Sequence, residues 1–184
     1  MRIVGGRLRG RPLAGPTSDA IRPTSDRLRE TLFNVLAHAY DDAVEGARVI
    51  DLFAGTGAMA IEALSRGAAF ALMVDDSAAA RGLIRENVDK LGLAGATRLF
   101  RRDATRLGPS GSSGTFGLVF CDPPYGRDLA APALSAAASG GWLDPGALAI
   151  VEESAGHFTP PAGFDELERR IVGATEVTFA RFVG

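Results

Sequence analysis

The residues with the most evident chemical use are four consecutive ones, Asp122-Pro123-Pro124-Tyr125, which follow a predicted apolar strand. An exocyclic amino group of a nucleobase is a poor nucleophile, because its lone pair is delocalised into the ring. The Asp122 carboxylate and the Pro123 carbonyl, the latter fixed by two restricted φ angles, could accept hydrogen bonds from its two N–H groups. The carboxylate would also stabilise the positive charge developing on nitrogen, and Tyr125 offers a face for stacking a base. The tetrapeptide predicts amino methylation of a base, although alone it also fits a proline-rich turn.

A glycine-rich turn earlier in the chain, Asp51-Leu52-Phe53-Ala54-Gly55-Thr56-Gly57, joins a predicted strand to a predicted helix. Gly55 and Gly57 allow the backbone to turn sharply and to approach a ligand without a Cβ clash. Asp75 ends the next predicted strand, where an acid can accept hydrogen bonds from ribose hydroxyls. Asp76 follows it as a second candidate, or as an ordinary acid at the start of a helix.

Two cofactors compete for this turn. The pattern Gly55-x-Gly57-x-x-Ala60 satisfies the loose fingerprint of dinucleotides such as NAD, whose pyrophosphate binds at a helix N-terminus. A carboxylate at Asp51 would repel a pyrophosphate but would suit the cationic amino group of S-adenosylmethionine. Asp103, at the end of the third predicted strand, could accept a hydrogen bond from an adenine amino group. The acids favour S-adenosylmethionine, with these residues bordering it: Asp51, Phe53, Ala54, Gly55, Gly57, Asp75, Asp76, Asp103 and Ala104.

Other reactive side chains favour no different chemistry. Cys121 precedes the catalytic acid on a predicted buried strand, and we interpret it as a small core residue rather than as a nucleophile. His38 and His157 are too few and too scattered to predict a metal site. Trp142 is predicted to anchor the entry to the fifth strand, and Phe179 and Phe182 to pack in the core or at an edge.

The elements that must position these residues alternate between strands and helices. Such alternation predicts an α/β fold with a doubly wound, mostly parallel sheet and an antiparallel C-terminal strand. Ligands of these sheets bind beyond the carboxyl ends of the strands, at the switch point. The predicted strands are 48–53, 70–74, 97–100, 116–121 and 148–152, with a terminal hairpin of 168–172 and 176–182. The predicted helices are 25–40, capped by Thr24 or Ser25, then 58–66, 78–91 and 129–139.

Charge is distributed unevenly along the 184 residues, which carry a net charge of -2. Residues 1–21 form a predicted Arg- and Gly-rich arm, either a β-hairpin or mobile, and residues 22–184 form the predicted domain. Arginine suits phosphate and base edges, so the arm is compatible with RNA binding, and equally with a solvated surface. The single cysteine and the absence of an apolar leader predict a cytoplasmic protein. The expected RNA-binding residues are Arg7, Arg9, Arg11, Arg22, Thr24 and Arg27.

The order of these motifs resembles that of the amino-methyltransferases of nucleic acids. The string Arg22-Pro23-Thr24-Ser25-Asp26-Arg27-Leu28-Arg29-Glu30, with Ala63-Leu64-Ser65-Arg66-Gly67-Ala68, closely resembles the RsmD family. The resemblance implies methylation of guanine N2 in 16S ribosomal RNA of the small subunit, within a subunit or an assembly intermediate. It implies that the glycine turn holds the methionine end of the cofactor, and that the segment from Arg22 to Glu30 helps to close the site. Ser77 departs from the family, which often has an acid there.

Two alternatives remain at this point. A DNA or RNA adenine-N6 methyltransferase would use the same tetrapeptide chemistry, but 184 residues leave no room for a separate target-recognition insertion. A non-enzymatic RNA-binding module with a vestigial cofactor fold is the other, and no cradle or catalytic position is eroded in a way that favours it. We therefore expect a loop guanine as the target, since the chain has no room for a separate RNA-reading domain either.

Overall fold

A computed structural model describes all 184 residues and contains one seven-stranded sheet. Its strands lie in the order β3-β2-β1-β4-β5-β7-β6. Neighbouring strands from β1 to β5 pair in parallel, and β7 is antiparallel to both β5 and β6. The predicted doubly wound sheet with an antiparallel C-terminal strand is confirmed. The strands are β1 Arg48–Asp51, β2 Phe70–Val74, β3 Thr97–Phe100, β4 Phe116–Cys121, β5 Leu143–Ser154, β6 Phe164–Val172 and β7 Thr175–Phe182.

Four α-helices cover the two faces of the sheet: α1 Asp26–Ala39, α2 Ala58–Ser65, α3 Ala78–Leu91 and α4 Ala130–Ser139. One core cluster joins α1, α2 and α3 to one face, where Phe33 and Phe120 pack with ring centroids 5.6 Å apart. A second cluster joins α4 to the other face around the fully buried Trp142. None of these helices is long and apolar enough to cross a membrane.

Several predicted boundaries were wrong, for local reasons. Strand β1 stops at Asp51 rather than at residue 53, because the glycine turn begins at Leu52. Strand β5 starts at Leu143 and ends at Ser154, so it is longer at both ends than the predicted 148–152. Its apolar stretch is flanked by Asp144-Pro145-Gly146 and by polar residues, which hid the extra length from the pattern. The terminal strands are also longer than predicted, because they pair along 164–172 and 175–182.

The N-terminal residues fold back on themselves and pack on the domain. A single β-bridge pairs Arg2 with Pro12, and Ile3 N–H donates to the carbonyl of Arg11 at 3.0 Å. Ile3 and Leu13 are buried in the same cluster as α1 and α2. The division of the chain at residue 21 remains a prediction, but residues 1–14 lie against the domain in this structure.

A buried carboxylate fastens this N-terminal segment. Glu62 of α2 is fully buried and pairs with the equally buried Arg29 of α1 at 2.9 Å. Its two oxygens also accept from Val4 N–H at 3.1 Å and from Gly5 N–H at 2.8 Å, and Arg66 pairs with it at 2.9 Å. The cost of burying this acid is offset because four donors, from the N-terminal segment, α1 and α2, converge on the Glu62 carboxylate.

Candidate functional site

A cleft of about 880 Å³ opens at the carboxyl ends of the parallel strands, where β1 and β4 lie side by side. The chain leaves β1 toward one edge of the sheet and leaves β4 toward the other, so the cleft lies at the switch point. The predicted cofactor residues apart from Gly57 line it, together with the tetrapeptide that follows β4. The size is that of a small-molecule site.

The glycine turn has a backbone that other residues would strain. Gly55 and Gly57 have φ of 58° and 82°, in the left-handed region that favours glycine. A Cβ on Gly57 would also lie 3.2 Å from the sulfur of Met73. Gly57 lies below the cleft rather than at its surface, so its part is to shape the turn while Gly55 borders the ligand.

Asn87 connects the N-terminal segment to this turn. The fully buried Asn87 side chain of α3 donates to the carbonyl of Thr56 at 3.0 Å and to that of Ala14 at 3.1 Å. Its carbonyl accepts from Ala14 N–H at 2.7 Å. Sequence reasoning missed this residue, because an asparagine inside an amphipathic helix carries no signal of the distant backbone it will bond.

Asp51 is a buried acid placed to meet a cation. It is 2% exposed at the end of β1. Burial and the neighbouring Asp75 raise the pKa of Asp51 to about 7, while the backbone N–H groups of Phe53 and Ala60 lower it in part. An acid whose charged neighbour is another acid gains from a positive ligand and would repel a phosphate. This environment fits the ammonium group of S-adenosylmethionine and does not fit the pyrophosphate of NAD.

Asp75 braces the glycine turn from β2. One carboxylate oxygen accepts from Gly55 N–H at 2.9 Å and the other from Ser77 N–H at 2.9 Å. Burial raises the pKa of Asp75 despite these two hydrogen bonds. Each oxygen keeps a second lone pair, so ribose hydroxyls remain suitable donors. Asp76 is exposed beside it, and the Ser77 hydroxyl caps α3 by accepting from Ala80 N–H at 3.2 Å.

Asp103 stands at the other end of the cofactor side of the cleft. Its Oδ1 accepts from the Thr105 hydroxyl at 2.7 Å and from Thr105 N–H at 2.9 Å, and these bonds lower its pKa. The carboxylate is therefore ionised and fixed in direction, with its second oxygen left for a donor such as an amino group. Ala104, which follows it, is buried and lines the cleft.

Asp122 lies across the cleft, directly after β4. The Thr24 hydroxyl, which precedes α1, donates to Asp122 Oδ2 at 3.1 Å. The α1 cap is Ser25, whose Oγ accepts from Leu28 N–H at 3.1 Å, so the two hydroxyls that the sequence offered as caps have separate tasks. Burial raises the pKa of Asp122 well above its usual range, and the adjacent Glu152 adds to the effect. The acid is therefore a better proton acceptor than an exposed one.

Tyr125 is held at both its hydroxyl and its ring. The hydroxyl donates to Glu152 Oε1 at 2.7 Å and lies 2.8 Å from Thr175 Oγ1. The Arg22 guanidinium lies over the ring, 4.4 Å from its centroid. A base that stacks on the covered face must first displace Arg22, which the sequence did not indicate. Stacking of a base on Tyr125 therefore remains a prediction, and Arg22 is a further residue in contact with that ring.

The predicted RNA-binding residues fall into two groups. Arg22, Thr24 and Arg27 line the cleft on the segment that runs over it from Asp19. The arm arginines do not line the cleft. The backbone N–H of Arg7 donates to the carbonyl of Ser65, which lies at the end of α2 that is farther from the glycine turn. Their side chains are exposed on that separate surface: Arg7, Arg9 and Arg11.

The remaining residues fit their predicted structural parts. Cys121 is buried, and burial raises the pKa of its thiol well above the usual value, which disfavours the nucleophilic thiolate. Trp142 donates from its indole N–H to the carbonyl of Gly108 at 2.7 Å, before β5. Phe179 is buried and stacks on Tyr40 at 5.1 Å. Sequence reasoning missed the β5–β7 side of the cleft, formed by Glu152 and 172–175, because that wall comes from strands distant in sequence.

Comparison with known proteins places this arrangement in a class. A methyltransferase of Synechocystis PCC 6803 that acts on magnesium protoporphyrin IX, solved with bound S-adenosylmethionine, superposes with a TM-score of 0.61 at 18% identity. The match covers 83% of this chain and 78% of that one, and it shows the shared fold. The class is that of the methyltransferases, because relatives 39% and 33% identical to this chain, over 94% and 83% of its length, are methyltransferases by name.

Closer relatives narrow the class to one family. The model of the family described as Conserved hypothetical protein 95 matches residues 1–181, and this chain belongs to that family, the RsmD family. Ribosomal RNA small subunit methyltransferase D of Escherichia coli K12 is 39% identical over 177 residues, which cover 94% of this chain and 85% of the relative. The solved Escherichia coli protein yhhF has a TM-score of 0.85 at 34% identity, over 100% of this chain and 98% of that chain.

Proposed function

We propose that this protein transfers a methyl group from S-adenosylmethionine to the exocyclic N2 amino group of a guanine in 16S ribosomal RNA. The observation that carries the proposal is the pairing of two acids across one cleft. Asp51 ends β1 and Asp122 follows the adjacent β4, so the acid that would bind the cofactor's ammonium group and the acid that would bind the target amine line the same cleft. The names of relatives as similar as 39% over 94% of the chain support ribosomal RNA of the small subunit as the substrate.

The cofactor side of the cleft would hold S-adenosylmethionine by its polar ends. Asp51 would attract the ammonium group, Asp75 would accept from ribose hydroxyls, and Asp103 would accept from the adenine amino group. Phe53, Ala54 and Ala104 would supply apolar contacts beside these acids, with Asp76 at the rim. When bound, the cofactor supplies an activated methyl group on a positively charged sulfur.

The substrate side would prepare the amine. Asp122 would accept a hydrogen bond from the N2 amino group and, with the Pro123 carbonyl, draw its lone pair out of conjugation. The raised pKa of Asp122 also suits it to take the proton that the amino group loses. Thr24 would hold the carboxylate, since its hydroxyl already donates to Oδ2. Pro124 and Tyr125 would form the wall against which the base lies.

The surrounding arginines would hold the RNA backbone. Arg22 and Arg27 lie at the mouth of the cleft and would contact phosphates next to the flipped guanine. The exposed Arg7, Arg9 and Arg11 lie away from the cleft and would bind a neighbouring part of the folded RNA. We propose that such a substrate would be a small subunit or its assembly intermediate, and that the reaction would take place in the cytoplasm.

Transfer of a labelled methyl group tests this function. We expect label from S-adenosylmethionine to enter small-subunit rRNA or particles lacking the modification, as N2-methylguanosine, and not to enter duplex DNA. Asp122→Ala should abolish transfer while cofactor binding survives, and Asp165→Ala, an exposed acid on β6, should leave both unchanged. Label in adenine of DNA, or full turnover by Asp122→Ala, would contradict the proposal.

A further inference from the structure

Glu152, which lies outside the tetrapeptide, is next to the catalytic acid Asp122 in space. Strands β4 and β5 are parallel, and Cys121 pairs with Val151. The next residue of each strand, Asp122 and Glu152, therefore lies at the same level, on backbones about 4.8 Å apart. Both residues line the cleft, so two carboxylates are presented to the substrate side by side.

Glu152 is fixed in place. It is 7% exposed, and its Oε1 accepts from the Tyr125 hydroxyl at 2.7 Å. Thr175 of β7 supports the same hydroxyl at 2.8 Å. No arginine, lysine or histidine forms an ion pair with Glu152, although several other acids of this chain have such partners. A nearly buried carboxylate without a cation is costly unless hydrogen-bond donors satisfy it, and here the Tyr125 hydroxyl bonds Oε1 while the side chain also meets the Asp122 carboxyl group.

The target base carries donors in a matching arrangement. Guanine presents two adjacent donors on its Watson–Crick edge, N1–H and the N2 amino group, whereas adenine and 2-aminopurine have an acceptor at N1. An ionised carboxyl group only accepts hydrogen bonds. With Asp122 on the amino group, the neighbouring carboxylate is in the position to meet N1.

We propose that Glu152 recognises the N1–H group of the target guanine and thereby excludes purines whose N1 carries no hydrogen. The inference rests on the proposed function and deepens it, since it assigns the choice of base to a residue of β5. The mutual influence of the two acids agrees with it, because Glu152 adds to the raised pKa of Asp122 and donors from guanine would relieve that repulsion.

A glutamine at this position tests the assignment. In Glu152→Gln the Tyr125 hydroxyl can still donate to the amide oxygen, so the amide N–H₂ group would face the base. That group is a hydrogen-bond donor, so it cannot bond N1–H of guanine, which is a donor too. It can donate to N1 of 2-aminopurine, which carries no hydrogen, and 2-aminopurine keeps the amino group at C2. We expect kcat/KM for guanine to fall about 100-fold and the ratio of 2-aminopurine to guanine turnover to rise at least about tenfold.

The assay uses the full-length protein and small-subunit RNA fragments with guanine or 2-aminopurine at the position that the wild type methylates. Tyr125→Phe serves as the comparison, because it removes the support of Glu152 without changing what faces N1. It should slow both substrates and leave their ratio within about threefold of the wild type. An unchanged ratio in Glu152→Gln, with S-adenosylmethionine binding intact, would overturn the inference and leave the proposed function standing.

If the Glu152→Gln variant does not fold, competition between modified RNAs and the substrate of the wild-type enzyme tests the same assignment. RNA carrying inosine at the target position keeps N1–H, whereas RNA carrying unsubstituted purine lacks it. The inosine RNA should inhibit methylation at least about tenfold more strongly, and equal inhibition by both would overturn the inference. If the wild type forms no N2-methylguanosine in any RNA, the proposed function fails, and the inference fails with it.

Discussion

Asp51 should make cofactor affinity depend on pH in a defined window. Burial and Asp75 raise its pKa to about 7 in the ligand-free protein, and only the ionised carboxylate attracts an ammonium group. The amino group of the cofactor stays protonated below its own pKa of about 7.7, the ordinary value for an α-amino group. Between about pH 5 and about pH 7, the ionised fraction of Asp51 rises roughly 50-fold, so affinity should rise with pH by a similar factor.

Calorimetric titration across this window measures the effect. 5′-Methylthioadenosine, which lacks the amino acid end, should bind with little dependence on pH through Asp51. Asp51→Asn, which resembles the protonated acid in charge, should bind S-adenosylmethionine about as weakly at pH 7 as the wild type does near pH 5. At about pH 7, binding to the wild type should release roughly half a proton, seen as a dependence of the heat on the buffer used.

Two results would show that Asp51 does not set the pH dependence of cofactor binding. Affinity of the wild type that is constant from about pH 5 to about pH 7 would mean that Asp51 is not the group that meets the ammonium. A full pH dependence retained by Asp51→Asn would assign the titration to another acid, with Asp75 the nearest candidate since burial raises its pKa also.

Three further substitutions test the buried Glu62–Arg29 pair, the glycine turn and the arm arginines. Glu62→Gln should lower the free energy of unfolding by about 3–5 kcal/mol in chemical denaturation, because it removes the buried charge partner of Arg29 and leaves only the more exposed Asp26. Glu166→Gln, in a partly exposed pair, should cost less than about 1 kcal/mol, and equal losses would contradict the special cost of burial. Gly57→Ala should cost about 1–3 kcal/mol in the same assay, and no loss would mean that the turn tolerates a side chain. Joint replacement of Arg7, Arg9 and Arg11 by glutamine should weaken RNA binding and make its salt dependence shallower. Unchanged binding would mean that the arm only packs against the domain.

The sequence predicted those parts of the fold and site that are local in the chain. The alternation of strands and helices predicted a doubly wound sheet with its ligand site at the switch point, which the structure places between β1 and β4. The glycine turn and the tetrapeptide each lie within seven residues, so their position at strand ends followed directly from the strand pattern. The residues predicted after β1, β2, β3 and β4 line the cleft, apart from the deeper Gly57, and their roles toward the cofactor and the base remain predictions.

The parts that sequence reasoning could not supply depend on contacts between distant segments. Glu152 was not selected because an acid ending an apolar strand has no signature until the β4–β5 register places it beside Asp122. Thr24 was expected as a helix cap or a site-closing residue, and only the folded chain shows its hydroxyl on Asp122, 98 positions away. The arm arginines were predicted to bind RNA from their charge, and only the packing of Ile3 and Leu13 shows that they lie on a surface separate from the cleft, so their part in RNA binding remains a prediction.

Mass spectrometry of ribosomal RNA from cells that lack this protein decides whether it methylates guanine N2 in 16S rRNA. We expect one N2-methylguanosine of 16S rRNA to disappear and the wild-type gene to restore it, whereas a gene encoding Asp122→Ala should not. An unchanged content of N2-methylguanosine in 16S rRNA, or restoration by the Asp122→Ala gene, would contradict it.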